Sequence, residues 1–300
     1  MKRVIAIHDM SGVGRCSLTV IMPIISAMGI QVCPVPTAVL STHTGGFGDM
    51  VFKDMTDFIK PCYKHYKDLG LNFDAVYSGF LASATQIDSC LDFFMGFSDA
   101  LKVVDPVMGD NGKPYKTYTK ELCERMSELC KIADIITPNL TEAAIILGEE
   151  YTPVLDRKTA TNWLLRLSEI AKCVVITGVR LVENPYDDAV FNIGLERGQN
   201  SPLFVEYKQL PVHYPGTGDV FASVLTGALL KELQGRNLKK AISQATEFAG
   251  AAVEITYKAK TEPRNGVMFE RVLNRLCQDE SCRGGFSTDT EVRRETKQAT

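Results

Sequence analysis

The stretch "ADIITPNLTE" (133–142) carries a whole structural unit. Four mostly apolar residues run into Thr137, Pro138 and Asn139, and Thr141 and Glu142 follow at once. The pattern predicts a strand over 133–139. Thr141 is then the cap of a helix, with Glu142 in its first turn, where a carboxylate suits the helix dipole. A short apolar run that stops at polar residues and gives way to a helix is the repeating unit of an α/β protein.

The same form recurs outward in both directions. "VIAIH" (4–8) runs into the glycine-bearing loop "DMSGVGR", and a helix follows over 17–28 with Pro23 inside it. "VCPVPTAVL" (32–40), "FDAVYSGF" (73–80), "LKVVDPV" (101–107) and "CVVITG" (173–178) are further strands. Near-continuous apolar strands alternating with helices predict a mainly parallel sheet covered on both faces. Between 186 and 213, short runs broken by Gly, Asn and Pro predict an antiparallel edge. Two helices follow, over 217–235 and 237–257. From 278 to 300 the chain is polar and charged, and reads as a disordered tail behind one domain spanning 1–277.

Composition sets the outer limits. The chain has 300 residues, 45% hydrophobic and 23% charged, with a net charge of −3. That is ordinary globular material, without the basic footprint of a nucleic-acid binder. No run reaches the ~18 apolar residues of a membrane span, and "MKRVIAIHDM" lacks the long apolar core of a signal peptide. The nine cysteines form no CxxC pair and do not cluster with the four histidines. They read as reduced thiols of a cytoplasmic protein.

Ligands of an open parallel sheet sit at the carboxyl ends of its strands. The residues just past those ends are Asp9 and Ser11; Thr42, His43 and Thr44; Gly79 and Phe80; Asp105 and Asp110; Thr137, Asn139 and Glu142; and Thr177. Several carboxylates thus meet on one edge, with no Lys or Arg in the motifs to offset them. That suggests a metal ion and a phosphorylated ligand.

One more stretch bears on this edge. "YPGTGDVFASVLTGALL" (214–230) puts Gly216, Thr217, Gly218 and Asp219 at the head of a long apolar helix. Free N–H groups there, and glycines that admit close approach, make an anion hole. Asp219 beside it could take the proton of an attacking hydroxyl. On its own the stretch fits a simple helix cap and turn equally well.

"DPVMGDNG" and "TPNLTE", followed by "PGTGD", occur in an order that resembles the ribokinase-like superfamily of small-molecule kinases. The match to "DPVMGD" and "TPN" is closest to its vitamin kinase branch, the pyridoxal kinases and hydroxymethylpyrimidine (phosphate) kinases. "STHTGGFGDM" is similar to the substrate loop of pyridoxal kinases, and "YSGFLAS" to their glycine-aromatic turn. The likeness runs from residue 4 to about 275, and no Walker A pattern occurs.

The resemblance implies a ribokinase-like fold and ATP-dependent transfer of phosphate to the hydroxymethyl group of pyridoxal, pyridoxine or pyridoxamine. It makes Asp219 the base and Gly216, Thr217 and Gly218 the anion hole. Asp105 would face the phosphates and their cations, and Glu142 would act on Mg²⁺ through water. Thr137, Asn139, Thr177 and Thr217 would touch ATP. Asp9, Ser11, His43, Thr44 and Phe80 would surround the ring. Mg²⁺, a monovalent cation such as K⁺ and a homodimer come with the same resemblance, and neither membrane nor nucleic acid does. The first loop, spelled Asp-x-Ser-Gly-x-Gly, leans instead toward hydroxymethylpyrimidine kinases, so that substrate is the alternative. A non-catalytic sensor that kept the fold is a third possibility, against which Asp219 argues. Residues 110–119 read as a flap over ATP, and Cys16 as structural.

Overall fold

The computed structural model describes residues 1–115, 118–183, 189–231 and 237–277. The expected tail at 278–300 lies outside the described residues. The strands are β1 (Arg3–Val13), β2 (Gln31–Thr42), β3 (Phe52–Asp54), β4 (Ala75–Ser78), β5 (Leu101–Val104), β6 (Gly109–Asp110), β7 (Lys113–Pro114), β8 (Ile135–Ile136), β9 (Cys173–Val179), β10 (Ala189–Glu196) and β11 (Leu203–Lys208). The helices are α1 (Leu18–Ala27), α2 (Thr56–Asp68), α3 (Ala84–Gly96), α4 (Lys120–Ile132), α5 (Leu140–Leu147), α6 (Arg157–Ile170), α7 (Thr217–Lys231) and α8 (Leu238–Lys258).

Nine strands form one sheet in the order β11-β10-β9-β8-β5-β4-β1-β2-β3. The pairings from β2 through β1, β4, β5 and β8 to β9 are all parallel. The expected antiparallel edge is β10 and β11. A second antiparallel edge, β3 against β2, was not expected, because three exposed residues carry no apolar pattern. The small β6–β7 hairpin stands apart. The fold is α/β, with a mainly parallel sheet.

Alternation along the strands sends side chains to two cores. Ile5, Ile7, Val76, Val104, Ile136 and Val174 meet α2 to α6 on one face. Val4, Ala6, Ala75, Tyr77, Val103 and Val175 meet α1, α7 and α8 on the other. This double cover explains why the strands read as continuous apolar runs. α7 is buried at every position from Val220 to Leu230, so it needs no polar face.

Strand limits differ from the sequence reading in an informative way. β1 does not end at His8 but continues through the glycine-bearing stretch to Val13. Its register with β2 slips between His8 and Met10, where β2 carries an extra residue. Bulges of this kind re-aim side chains beside sites. β4, β5 and β8 are shorter than expected. The residues beyond them leave the sheet and supply the polar edge.

Candidate active site

The site is built around the N-terminus of α7. Gly216 has φ 78°. A Cβ there would lie 1.9 Å from the Arg15 carbonyl oxygen, so no other residue fits. Thr217 opens the helix, its hydroxyl donating to the Tyr214 carbonyl at 2.8 Å. The Val220 N–H donates to the Gly216 carbonyl at 3.0 Å and closes the first turn. The N–H groups of Thr217, Gly218 and Asp219 precede that bond and belong to the free end of the helix. A Cβ on Gly218 would meet nothing within 4 Å, so the space above the helix end is open. This is a place for an anion.

Asp219 is tied to the first loop. Its Oδ2 accepts the Ser17 N–H at 2.7 Å, and its Oδ1 lies 3.3 Å from His8 Nε2. Ser17 caps α1 with φ 60°, a conformation costly for a residue with a side chain. Its hydroxyl donates to Asp9 Oδ1 at 2.6 Å, and Ser11 donates to Asp9 Oδ2 at 2.9 Å. His8 Nδ1 lies 2.8 Å from Asp9 Oδ1. Asp9, His8, Ser11, Ser17 and Asp219 are thus one cluster.

Its electrostatics follow from burial and charge. Burial disfavours the charged form of His8, but Asp219 and Asp9 on its two sides outweigh it and raise it from 6.5 to about 10. Burial pushes Asp9 up, yet His8, Ser17 and Ser11 hold it below the usual carboxylate range. The Cys16 thiol is driven well up by burial and by Asp219 and Asp9, so it behaves as an inert buried thiol.

A second acidic pair lies along the same edge. Asp105 follows β5 and is buried. Burial and the neighbouring Asp219 raise it to about 7. The Thr137 hydroxyl faces it without the geometry of a normal hydrogen bond. Glu142 is buried and is raised well above the carboxylate range by burial and by Asp105. The cap of α5 is Asn139, not Thr141. Asn139 Oδ1 accepts the Glu142 N–H at 3.0 Å, and Glu142 Oε2 accepts the Asn139 N–H at 2.8 Å, a reciprocal capping box. Glu142 Oε1 also accepts the Met108 N–H at 3.1 Å. Thr141 instead accepts the Gly112 N–H at 2.9 Å and so holds the β6–β7 hairpin.

The remaining expected residues are spread more widely. Thr177 bridges Asn139 in parallel fashion at the end of β9. Phe80 packs into the core, edge-on to Tyr118 with ring centres 6.2 Å apart. His43 is buried and braced within its loop: Nδ1 accepts the Gly45 N–H at 3.0 Å, and Nε2 donates to the Arg264 carbonyl at 2.6 Å. Thr44 is exposed. Asp110, on the hairpin, lies 3.5 Å from His213. Part of the 110–119 segment, residues 116 and 117, lies outside the described residues. No group of three or more His, Cys, Asp or Glu among the described residues is arranged to hold a metal by itself.

Sequence reasoning missed His8 and Ser17. His8 had a signal: it is a polar residue at the carboxyl end of a buried strand. Ser17 had none, since nothing in its spelling reveals a positive φ.

A family model for phosphomethylpyrimidine kinases matches residues 22–267. The chain belongs to this family. A Bacteroides thetaiotaomicron protein assigned to the phosphomethylpyrimidine kinases and crystallised with pyridoxal is 41% identical, with a TM-score of 0.85 over 92% of this chain and 95% of that one. The pyridoxal kinase of Lactobacillus plantarum is 29% identical, with a TM-score of 0.83 over 92% and 96%. A Schizosaccharomyces pombe protein assigned to the pyridoxal kinases is 25% identical over 215 residues, 69% of this chain. The match spans about three fifths of that relative, 61% of its length. No described helix is long and apolar enough to cross a membrane.

Proposed function

We propose that the chain is an ATP-dependent kinase for the 5′-hydroxymethyl group of pyridoxal, pyridoxine or pyridoxamine. The observation that carries this reading is Asp219 held beside the open N-terminus of α7. The vitamer hydroxyl attacks the γ-phosphorus of ATP, the P–O bond to ADP breaks, and Asp219 takes the hydroxyl proton. The helix-end N–H groups of Thr217, Gly218 and Asp219 receive the charge on the moving phosphoryl group.

Asp105, Thr137, Asn139, Glu142 and Thr177 supply the nucleotide side. Asp105, raised by burial and by Asp219, and Glu142, raised by burial and by Asp105, fit a site completed by a cation. Both Glu142 oxygens already accept backbone N–H groups, which favours action on Mg²⁺ through water. Mg²⁺ would offset phosphate charge there. Asp9 and Ser11 supply the ring side, with His43 and Thr44 in the adjoining loop and Phe80 behind. The family resemblance alone carries K⁺ and the homodimer, while the moving flap at 110–119 and the single domain over 1–277 rest on the sequence as well.

A second reading, hydroxymethylpyrimidine kinase, is favoured by the description of the matching family and by the Asp-x-Ser-Gly-x-Gly spelling of the first loop. Side-by-side turnover decides between them. With ATP and Mg²⁺, ADP release should be fastest with a B6 vitamer. Faster release with hydroxymethylpyrimidine would install the second reading, and no release with any acceptor would leave the sensor.

A further inference from the structure

Among the described residues no Lys or Arg side chain is buried, and the two buried histidines differ in their surroundings. At His43 one ring nitrogen accepts and the other donates. At His8 both nitrogens face carboxylates. Nε2 has Asp219 Oδ1 at 3.3 Å, an ion-pair contact without the geometry of a normal hydrogen bond, to a group that only accepts. Nδ1 has Asp9 Oδ1 at 2.8 Å, with the Asp9 N–H at 3.0 Å on the same atom. The Asp9 N–H competes for Nδ1 as a donor, but it is the weaker neighbour: a carboxylate faces each nitrogen, and charge-assisted pairing with both favours a proton on each. The ring is nearly sealed from solvent, at 2% exposure.

The fold makes room for this ring. A Cβ on Gly79 would fall 1.9 Å from His8 Cδ2. Gly79 is not at positive φ, so what its missing side chain provides is space. His8 continues the Val4–Ala6 row of β1 toward α7, and so reaches Asp219 across the edge of the sheet. Besides Asp9 on β1 and Asp219 on α7, the titratable groups around the cluster are Asp105 after β5, Tyr77 on β4 and Cys16 before α1.

We infer that His8 is a positioning residue, a buried imidazolium that clamps Asp219 between itself and the Ser17 N–H and fixes where its carboxylate points. It touches neither substrate nor phosphate. The clamp holds one carboxylate oxygen from each side, Oδ1 by His8 and Oδ2 by Ser17. Loss of the clamp should therefore affect the chemical step and spare the binding of both substrates.

The inference rests on the kinase reading for its kinetic arm only. In ¹⁵N-labelled protein at pH 8, the histidine side-chain spectrum should show His8 carrying protons on both ring nitrogens. A His8 ring with one proton at pH 8 overturns the inference. His8→Gln keeps a donor but no charge. It should lower kcat about 10- to 100-fold, the scale of a misplaced catalytic group, with KM for ATP and pyridoxal within about threefold. Gly79→Ala, which displaces the ring by crowding its Cδ2 and Nε2 but removes no polar group, should reproduce that split and serves if His8→Gln does not fold. A kcat within twofold of wild type, or a loss confined to KM, overturns it. If the wild-type protein turns over no vitamer, the proposed function fails, and the spectrum alone decides for His8.

Discussion

The Ser17 N–H donates to Asp219 Oδ2 at 2.7 Å across 202 residues of chain. That bond joins the loop after β1 to the head of α7. It leaves the carboxylate at the border between the two groups of residues assigned to ring and nucleotide. Ser17 accepts φ 60° to make it, and its hydroxyl holds Asp9 at 2.6 Å at the same time. One strained residue thus sets two carboxylates.

Gly216 is the tightest point of that junction. Gly216→Ala would put a Cβ at φ 78° and 1.9 Å from the Arg15 carbonyl oxygen. Backbone strain of this kind costs about 1–3 kcal/mol, and the clash with rigid backbone adds to it. The urea midpoint should fall with an unchanged slope, and kcat should fall with it as the helix end moves off Asp9 and Ser17. A variant as stable and as active as wild type would show that the junction is looser than described.

Stability should depend on pH in a direction that the buried groups fix. His8 is raised from 6.5 to about 10, so the folded state binds its proton more tightly. Its contribution is complete below 6.5 and is lost as pH rises through about 10. Asp105, raised to about 7, acts in the same sense at lower pH, with its share lost as pH rises toward 7. Urea midpoints should therefore fall from pH 6.5 to 10 in the wild type, and fall less steeply in His8→Gln. A wild-type midpoint that rises over that interval would contradict the charge assigned to His8.

The parallel sheet was legible because double burial writes each strand as an unbroken apolar run, as in "LKVVDPV". The glycines of "PGTGD" stood out in the sequence as room for an anion; in the structure Gly216 is required by its positive φ and by the Arg15 carbonyl beside it, while Gly218 faces open space. The continuation of β1 to Val13 was not, since Gly12 and Gly14 punctuate a loop as readily as they flank a strand. The cap of α5 was misplaced by two residues because Asn139 and Thr141 are both good cap residues. Only the reach of Glu142 back to the Asn139 N–H separates them. His43 and Thr44 read alike in the sequence, and the structure gives them different surroundings: one bonds the Arg264 carbonyl and the other is exposed. Local spelling marks a loop, not which way its side chains turn.

The most direct test of the account is the turnover of Asp219→Asn. The substitution keeps the size of the side chain and an oxygen for the Ser17 N–H, but removes the proton acceptor. Initial rates of ADP and phosphorylated pyridoxal formation would be measured at saturating ATP, Mg²⁺ and pyridoxal, with nucleotide binding followed by calorimetry. A general base in this place predicts a kcat lower by roughly 10²-fold or more, with ATP affinity little changed. A kcat near that of the wild type would contradict the assignment of Asp219 as the base, and with it the reading of this edge as the place of phosphoryl transfer.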